Sequence, residues 1–518
     1  MNSFFRPQWT SGRYDFQTHS AILFNLLEGK SYFFEDISAD VIGELLKYHR
    51  GDKINACDFA KQLGIAEESI FSFFNVLSDK GLLSTVEINS DIIDKYRELI
   101  VMQRNSRSIE YQNYSSSEFL LSNTSTAEKS YANRTHCPVA TVLMELTYNC
   151  SEGCIHCYNP GATRNNTEVN KRSISGALTK EDYFRIIDEL HDEGAVRVCL
   201  SGGDPFSNPY AWDIIDYLYQ KEIAIEIFTN AQKLVGKEEL LASYFPCVVG
   251  ISVYSSVPEI HDTITRVKGS FEKTYSVLRN LAKLGQVLEV KCCIMQQNLK
   301  SYLGVKDIAR QCNATFQMES AIFDSSDGDK SISKYLRLTE KQLEVVLRDT
   351  DNPLYVGQEL NEYGYEPKDM NDVACKACIS GIAVAPDGTL IPCASFHASL
   401  GNLKDRSLHD LLYDNLNVKW WTTQLLSNYE ECGKHDYCGF CKICPGLNFA
   451  EHGTPLKAAE NNCFVAKVRY NLANKLSKGQ DPLAGKSLGE AIEQLDIKVV
   501  GGAIHRELSV NNHNKNIF

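Results

Sequence analysis

The chain reads as an α/β protein built on a parallel sheet, with a smaller domain before it and a cysteine-rich domain after it. Three observations lead there. Strand-like and helical runs alternate between residues 140 and 325, and that alternation is the signature of a parallel sheet with crossover helices. The first 100 residues carry a hairpin followed by three helical runs. Eleven of the 18 cysteines fall in two arrays, three between Cys150 and Cys157 and eight between Cys375 and Cys463.

Taken in order, His19 to Leu27 and Ser31 to Glu35 predict a hairpin around Glu28-Gly29-Lys30, where glycine suits the turn. Ser38 is the expected cap of a helix reaching about His49. Asn55 to Leu63 and Glu67 to Lys80 predict two more helices, the second ending at Gly81. Residues 1–100 form the expected first domain, and the Ser/Asn/Thr-rich stretch within 101–136 reads as a linker. Strands are expected at Val142–Thr147, Ala195–Cys199, Ala224–Thr229, Val248–Val253 and Leu288–Ile294. Amphipathic helices are expected at Lys180–Glu193, Trp212–Lys221, Ser270–Leu284 and Leu303–Gln311. The sheet domain is bounded at 137–365, the cysteine-rich domain at 366–475 and a C-terminal tail at 476–518.

Composition narrows the function classes. No run of 18 apolar residues is present, so no membrane span is expected, and the N-terminus lacks a signal-peptide core; a cytoplasmic protein is expected. The net charge of −13 argues against nucleic acid as the main partner, since phosphate binding needs basic surface. Residues 30–90 hold six basic side chains against ten acidic ones, which disfavours a DNA-binding role for the N-terminal unit. Cysteine in a cytoplasmic chain points to metal or redox chemistry in place of disulfides. Cys57, Cys137, Cys199, Cys247, Cys292, Cys293 and Cys312 are scattered and read mostly as small buried hydrophobes.

The most specific signal is Cys150-Ser-Glu-Gly-Cys154-Ile-His-Cys157-Tyr158, directly after the first expected strand. Three thiolates at this C-x3-C-x2-C spacing hold three irons of a [4Fe–4S] cluster and leave the fourth open to a small molecule. The competing reading is a zinc knuckle. It needs a fourth ligand, for which only His156 is at hand. The motif resembles the radical S-adenosylmethionine (SAM) superfamily, where the open iron chelates SAM and the cluster cleaves it to a 5′-deoxyadenosyl radical. That resemblance implies a partial (β/α)6 barrel with ligands at the C-terminal ends of the strands. It places Ser201-Gly202-Gly203-Asp204-Pro205 at the SAM amino group, with Asp204 where the family commonly has Glu. Thr229-Asn230 and Ser252 match positions facing the ribose and carboxylate, and Arg266 is a candidate carboxylate partner. Tyr158 joins Gly202, Gly203, Asp204, Ser252 and Arg266 as an expected SAM-contacting residue.

The second array resembles the SPASM domain of peptide-modifying radical SAM enzymes. Eight cysteines suffice for two further [4Fe–4S] clusters. Family order puts Cys375, Cys378, Cys393 and Cys444 on one, and Cys432, Cys438, Cys441 and Cys463 on the other. The run from Cys432 is C-x5-C-x2-C-x2-C where the family has C-x2-C-x5-C-x3-C, so the partition inside it stays open. Two structural zinc sites are the alternative. The N-terminal pattern resembles the winged-helix precursor-peptide recognition element of ribosomal-peptide maturases, in which a leader peptide adds as a strand to the hairpin sheet. Together these resemblances imply a maturase with SAM, three [4Fe–4S] clusters, a precursor peptide and a flavodoxin- or ferredoxin-type reductant, forming a thioether or carbon–carbon cross-link. Epimerisation, backbone excision and sulfatase maturation compete within the class, although Ala394 stands where sulfatase maturases carry an acid. An iron–sulfur redox sensor competes from outside it. No acid, tyrosine or cysteine stands out as a catalytic base.

Overall fold

The structure is a computed structural model describing residues 3–106, 125–159, 176–320, 322–324, 333–362 and 364–497. Its centre is one sheet of eight strands. Six are parallel and follow chain order: β6 (Thr141–Thr147), β7 (Arg197–Gly202), β8 (Ala224–Thr229), β9 (Val248–Ser252), β10 (Leu288–Cys293) and β11 (Thr315–Glu319). Five match expected strands within a few residues. The sixth, β11, went unlisted because Thr315-Phe-Gln-Met-Glu is half polar, its Gln317 engaging Lys291 and Glu289 of the neighbouring strand.

The sheet's two faces differ as the alternation of side chains demands. From β6, Val142, Met144 and Leu146 enter the main core with Ile186, Leu190, Ile214, Leu218, Val277 and Leu281 of the helices. These helices are the expected ones: Lys180–Asp192, Ala211–Gln220 and Ser270–Lys283, with Tyr302–Gln311 after β10. Thr179 starts the first of them through a capping box with Asp182. On the opposite face, Leu143, Cys199, Ala383, Ile391 and Ala394 form a small cluster with Phe228 packed against it.

That cluster crosses the expected domain boundary. β12 (Gly381–Val384) pairs in parallel with β6, and β13 (Leu390–Ile391) pairs antiparallel with β12. The cysteine-rich region therefore extends the barrel sheet by two strands. Cys378 lies shortly before β12 and Cys393 shortly after β13, so two candidate ligands flank strands registered against the barrel.

The N-terminal unit holds more strand than the sequence suggested. β2 (Thr10–Asp15), β3 (Ser20–Asn25) and β4 (Lys30–Glu35) make a three-stranded antiparallel sheet, and β1 (Ser3–Phe5) pairs with β5 (Lys53–Asn55). β3 is central and buried on both faces, which masked its alternation. Ala21 and Leu23 pack with helices α1 (Asp36–Leu45), α2 (Ala56–Leu63) and α3 (Glu67–Asp79). Ile22 and Phe24 face the other way. Ser38 does not cap α1. It lies in the helix's first turn, bonding back to the Glu35 carbonyl, and the helix starts at Asp36. Asn55 does cap α2, accepting from the Cys57 and Asp58 amides.

The expected linker 101–136 is largely structured where it is described. α4 (Ser90–Ser106) runs across its start and α5 (Thr126–Thr135) fills its end, begun by a capping box between Ser125 and Glu128. Residues 107–124 lie outside the described set, as does the tail beyond 497. Within 476–497, a short helix at Leu488–Glu493 buries Ala491 and Ile492. Polar composition concealed α5, whose mean hydropathy is low. Its hold comes from Tyr131 and Glu128, both buried.

Ile22, Phe24, Leu26 and Leu27 share one apolar cluster with Tyr131, Val196, Ala224, Phe245 and Cys247. Arg6 pairs with Glu222, and the Arg50 guanidinium lies 3.9 Å over the Tyr219 ring. The N-terminal unit is thus bonded to the barrel through a buried seam. Among the described residues no helix is long and apolar enough to cross a membrane.

Candidate active site

The cluster loop follows β6. Its first cysteine receives bonds from its surroundings: the Asn230 amide donates to Cys150 Sγ at 3.2 Å, and the Glu152 backbone N–H approaches it at 3.4 Å. Cys154 Sγ lies 3.6 Å from Glu152 Oε2. Burial raises the pKa of Cys150 and of Cys154, and the nearby Cys157 thiol adds to the rise in both. The loop is held from outside by backbone bonds, Gly153 N–H to Thr265 O at 2.9 Å and Ile155 N–H to Ile264 O at 3.0 Å. Arg266, left-handed with φ of 60° at the end of helix Pro258–Thr265, packs its side chain toward Gly153.

Gly202 and Gly203 are needed here, but their surroundings differ from the expectation. Gly202 has φ of +117°, a conformation that suits glycine. A Cβ on Gly203 would sit 2.4 Å from Asn149 O and 2.6 Å from Tyr148 O. The two glycines let the loop after β7 press against the backbone of the cluster loop, with Gly203 N–H bonding Thr147 O at 2.6 Å and Asp204 N–H bonding Asn149 O at 3.0 Å. The Asn159 amide donates to Gly202 O at 2.8 Å. Gly203→Val should therefore displace the cluster loop itself. Iron content after anaerobic reconstitution and SAM affinity by equilibrium dialysis should fall together. Weakened SAM binding at full iron content would show instead that the side chain meets SAM and leaves the loop in place.

Asp204 is fully buried, and its carboxylate accepts from Thr229 Oγ1 at 2.5 Å. Burial lifts its pKa to about 6, against the lowering effect of that bond and of the Asn230 backbone. Its side chain ties the β7 and β8 loops together. Ser252 ends β9 and bonds the Tyr254 hydroxyl, which lies among Cys154, Cys293 and Glu152. Tyr158 is half-buried near Glu145, Cys157 and Cys293, and near Cys393 of the second array.

Several neighbours were not singled out from the sequence. Glu152 is buried and burial raises its pKa to about 8. Glu145 stands on the inner face of β6, accepts from the Tyr148 hydroxyl at 2.8 Å, and is raised by burial to about 7. Alternation on a strand hints at such a position, but the acid is indistinguishable in sequence from a surface one. His261 is fully buried, its Nδ1 accepting from the Tyr254 backbone N–H at 3.2 Å. Burial lowers its pKa from 6.5 to about 4, so the folded chain resists its protonation. Its contribution to stability is intact above about pH 6.5 and declines as pH falls toward 4, by about 3 kcal/mol in all at 1.36 kcal/mol per pKa unit. Urea unfolding of the metal-free chain across that range should show this decline, and His261→Gln should flatten it.

The eight C-terminal cysteines separate into two groups. Cys393 is coupled to Cys375, Cys444 and Cys378. Cys441 is coupled to Cys432, Cys463 and Cys438. The second four line one cavity, together with Lys368, Met370 and His435. Three thiols in the first loop and four in each C-terminal group are donor sets whose chemistry fits [4Fe–4S] clusters.

An open parallel sheet carrying a three-cysteine loop after its first strand, with a glycine-bearing loop pressed onto it after the second, is the arrangement of the radical SAM fold. Residues 144–295 match the Radical SAM superfamily. Among curated relatives, the chain is 27% identical over 392 residues to the antilisterial bacteriocin subtilosin biosynthesis protein AlbA of Bacillus subtilis strain 168, covering 74% of this chain and 81% of that one. It is 23% identical to the PqqA peptide cyclase of Ruegeria pomeroyi, covering 54% and 74%. Among solved structures, Streptococcus suis SuiB bound to precursor peptide SuiA superposes with a TM-score of 0.51 at 15% identity, covering 89% of this chain and 99% of SuiB. The AdoMet-bound anSMEcpe superposes with a TM-score of 0.51 at 16% identity, covering 69% and 98%. At these identities the two structures share the fold.

Proposed function

We propose that this enzyme matures a ribosomally made precursor peptide, forming a thioether or carbon–carbon cross-link. The observation that carries the reading is the gathering of the C-terminal cysteines into two groups of four. Relatives whose names describe bacteriocin biosynthesis and peptide cyclisation agree with it. Cys150, Cys154 and Cys157 would hold the SAM cluster, Cys375, Cys378, Cys393 and Cys444 one auxiliary cluster, and Cys432, Cys438, Cys441 and Cys463 the other. When bound, the SAM cluster supplies the 5′-deoxyadenosyl radical that abstracts a substrate hydrogen. The chain's own residues position and shield. Gly202 and Gly203 press their loop against the cluster loop, and their backbone would meet SAM there, with Ser252 and Arg266 as further SAM partners. Cross-linking removes two electrons from the peptide. The auxiliary cluster on the Cys393 group, near Tyr158, would accept the electron left after hydrogen abstraction. A flavodoxin- or ferredoxin-type protein would supply the reducing electron, in the cytoplasm.

The N-terminal unit would hold the leader peptide. β4 is an edge strand, which invites pairing with another chain. α3 buries Ile70, Phe74 and Leu77 in its own core. Its Phe73 packs on Phe34 of β4, and its Lys80 ammonium lies 4.8 Å over the Tyr32 ring of the same strand. Val76, on that face of α3, is 46% exposed. A leader strand added to β4 would find these side chains as its apolar wall. Putting a carboxylate on that wall forces its desolvation when the peptide docks. Val76→Asp should weaken binding of a fluorescent leader peptide at least about tenfold, or 1.4 kcal/mol, with the fold and iron content unchanged. The reaction itself is read by mass after anaerobic incubation with precursor, SAM and reductant. Loss of about two hydrogens marks a cross-link, and an unchanged mass would turn the reading toward epimerisation.

A further inference from the structure

The seam between the N-terminal unit and the barrel lies wholly at one end of the strands. Arg6 pairs with Glu222, which precedes β8. Arg97 donates to Ala242 O, before β9, and Arg104 to Gly285 O and Gln286 O, before β10. Glu128 of α5 pairs with Arg197, the first residue of β7. The apolar part of the seam ends on Val196, Ala224 and Cys247, each at or next to the start of a strand. The candidate SAM residues Gly202 and Ser252 end β7 and β9, the cysteine loop follows β6, Gly203 and Asp204 follow β7, and Asn230 follows β8. Gly29, next to β4, faces Cys247 O and Val287 just before β9 and β10, so the β4 edge and the candidate SAM residues sit toward opposite ends of the same barrel.

β7 runs six residues, and at about 3.3 Å per residue the two ends are roughly 20 Å apart. An extended chain gains at most about 3.6 Å per residue. Closing the gap by swinging the unit upward would expose Arg6, Glu128 and Arg197, all buried now, and the apolar cluster with them. We propose that the residue modified lies at least about six positions along the precursor from the segment docked on β4, with the intervening segment running along the outside of the barrel to its mouth. This rests on the reading of the β4–α3 groove as the leader site. It makes the enzyme one that selects its target by tether length as well as by side chain: residues close to the docked segment are out of reach whatever their chemistry.

The test uses the full enzyme with all clusters and a precursor peptide first shown by mass to be modified by it. Hydrogen exchange on the complex first maps which peptide segment protects β4. The stretch between that segment and the modified residue is then replaced by Gly–Ser spacers, shortened in steps from about twelve residues to about two. Binding by fluorescence anisotropy should stay constant along the series, and Val76→Asp should weaken every member alike. Product should fall at least about tenfold once the spacer drops below about six residues, while 5′-deoxyadenosine continues to form. Full modification of the shortest peptide, with binding still sensitive to Val76→Asp, would overturn the tether and leave the leader site standing. Binding indifferent to Val76→Asp, without protection of β4, would overturn the leader site and the tether with it.

Discussion

Replacing Cys150, Cys154 and Cys157 together by alanine is expected to abolish SAM cleavage while about eight of about twelve irons remain per chain after anaerobic reconstitution. The loop places the three thiols against one another, and both C-terminal groups lie elsewhere on the chain. Loss of the first set should leave the other two free to assemble. Reductive SAM cleavage needs the iron that has no thiolate, and only the three-cysteine loop leaves one open. Iron quantitation and 5′-deoxyadenosine assay on the same sample decide the matter. A plateau near four irons in the unaltered enzyme, with zinc making up the rest, would remove the electron-accepting role assigned to the C-terminal groups.

Arg197→Met should destabilise the chain by about 3–5 kcal/mol. Arg197 Nε lies 3.0 Å from Glu128 Oε1 and Nη1 lies 3.4 Å from Glu226 Oε2, with all three side chains at most 6% exposed. Burial opposes the guanidinium's charge, and the two carboxylates more than offset it, so Arg197 stays protonated. Glu128 has a second duty, accepting from the Ser125 backbone N–H at 2.6 Å to start α5. Methionine fills similar space but leaves two buried carboxylates uncompensated, one of them anchoring α5 to the barrel. Urea unfolding should show the loss, and adding Glu128→Gln with Glu226→Gln should recover part of it. Unchanged stability in Arg197→Met would mean that water reaches this end of the barrel. The same seam makes deletion of residues 1–100 a poor probe of leader binding. It would expose Val196, Ala224, Phe245 and Cys247, which the unit now covers.

Local signals were enough for the parts of this protein that depend on neighbours in sequence. The cysteine spacing at Cys150–Cys157 names its chemistry because one short loop presents all three thiols. Helices with capping residues, such as Asn55 and Thr179, and strands with apolar runs, such as Ala224–Thr229, announce themselves for the same reason. Elements whose stability comes from remote partners did not. β3 alternates between two different cores, so both of its faces are apolar. α5 is polar in composition and is fixed by a buried ion pair to β7. β12 and β13 are too short to stand out and exist because β6 offers an edge. The roles of individual side chains divided in the same way. That Gly202 and Gly203 are indispensable follows from their place after a strand, but what they approach, the backbone of the cluster loop, is set by the parallel register of β6 and β7. Glu145, Glu152 and His261 are ordinary residues in sequence. Burial alone shifts their proton affinities, and burial is a property of the assembled fold. The sequence by itself determined the class of chemistry and the inventory of thiols. Only the tertiary structure decided that the N-terminal unit and the cysteine loop lie at opposite ends of the barrel, because that depends on which loops of the sheet the N-terminal unit's apolar face finds to cover.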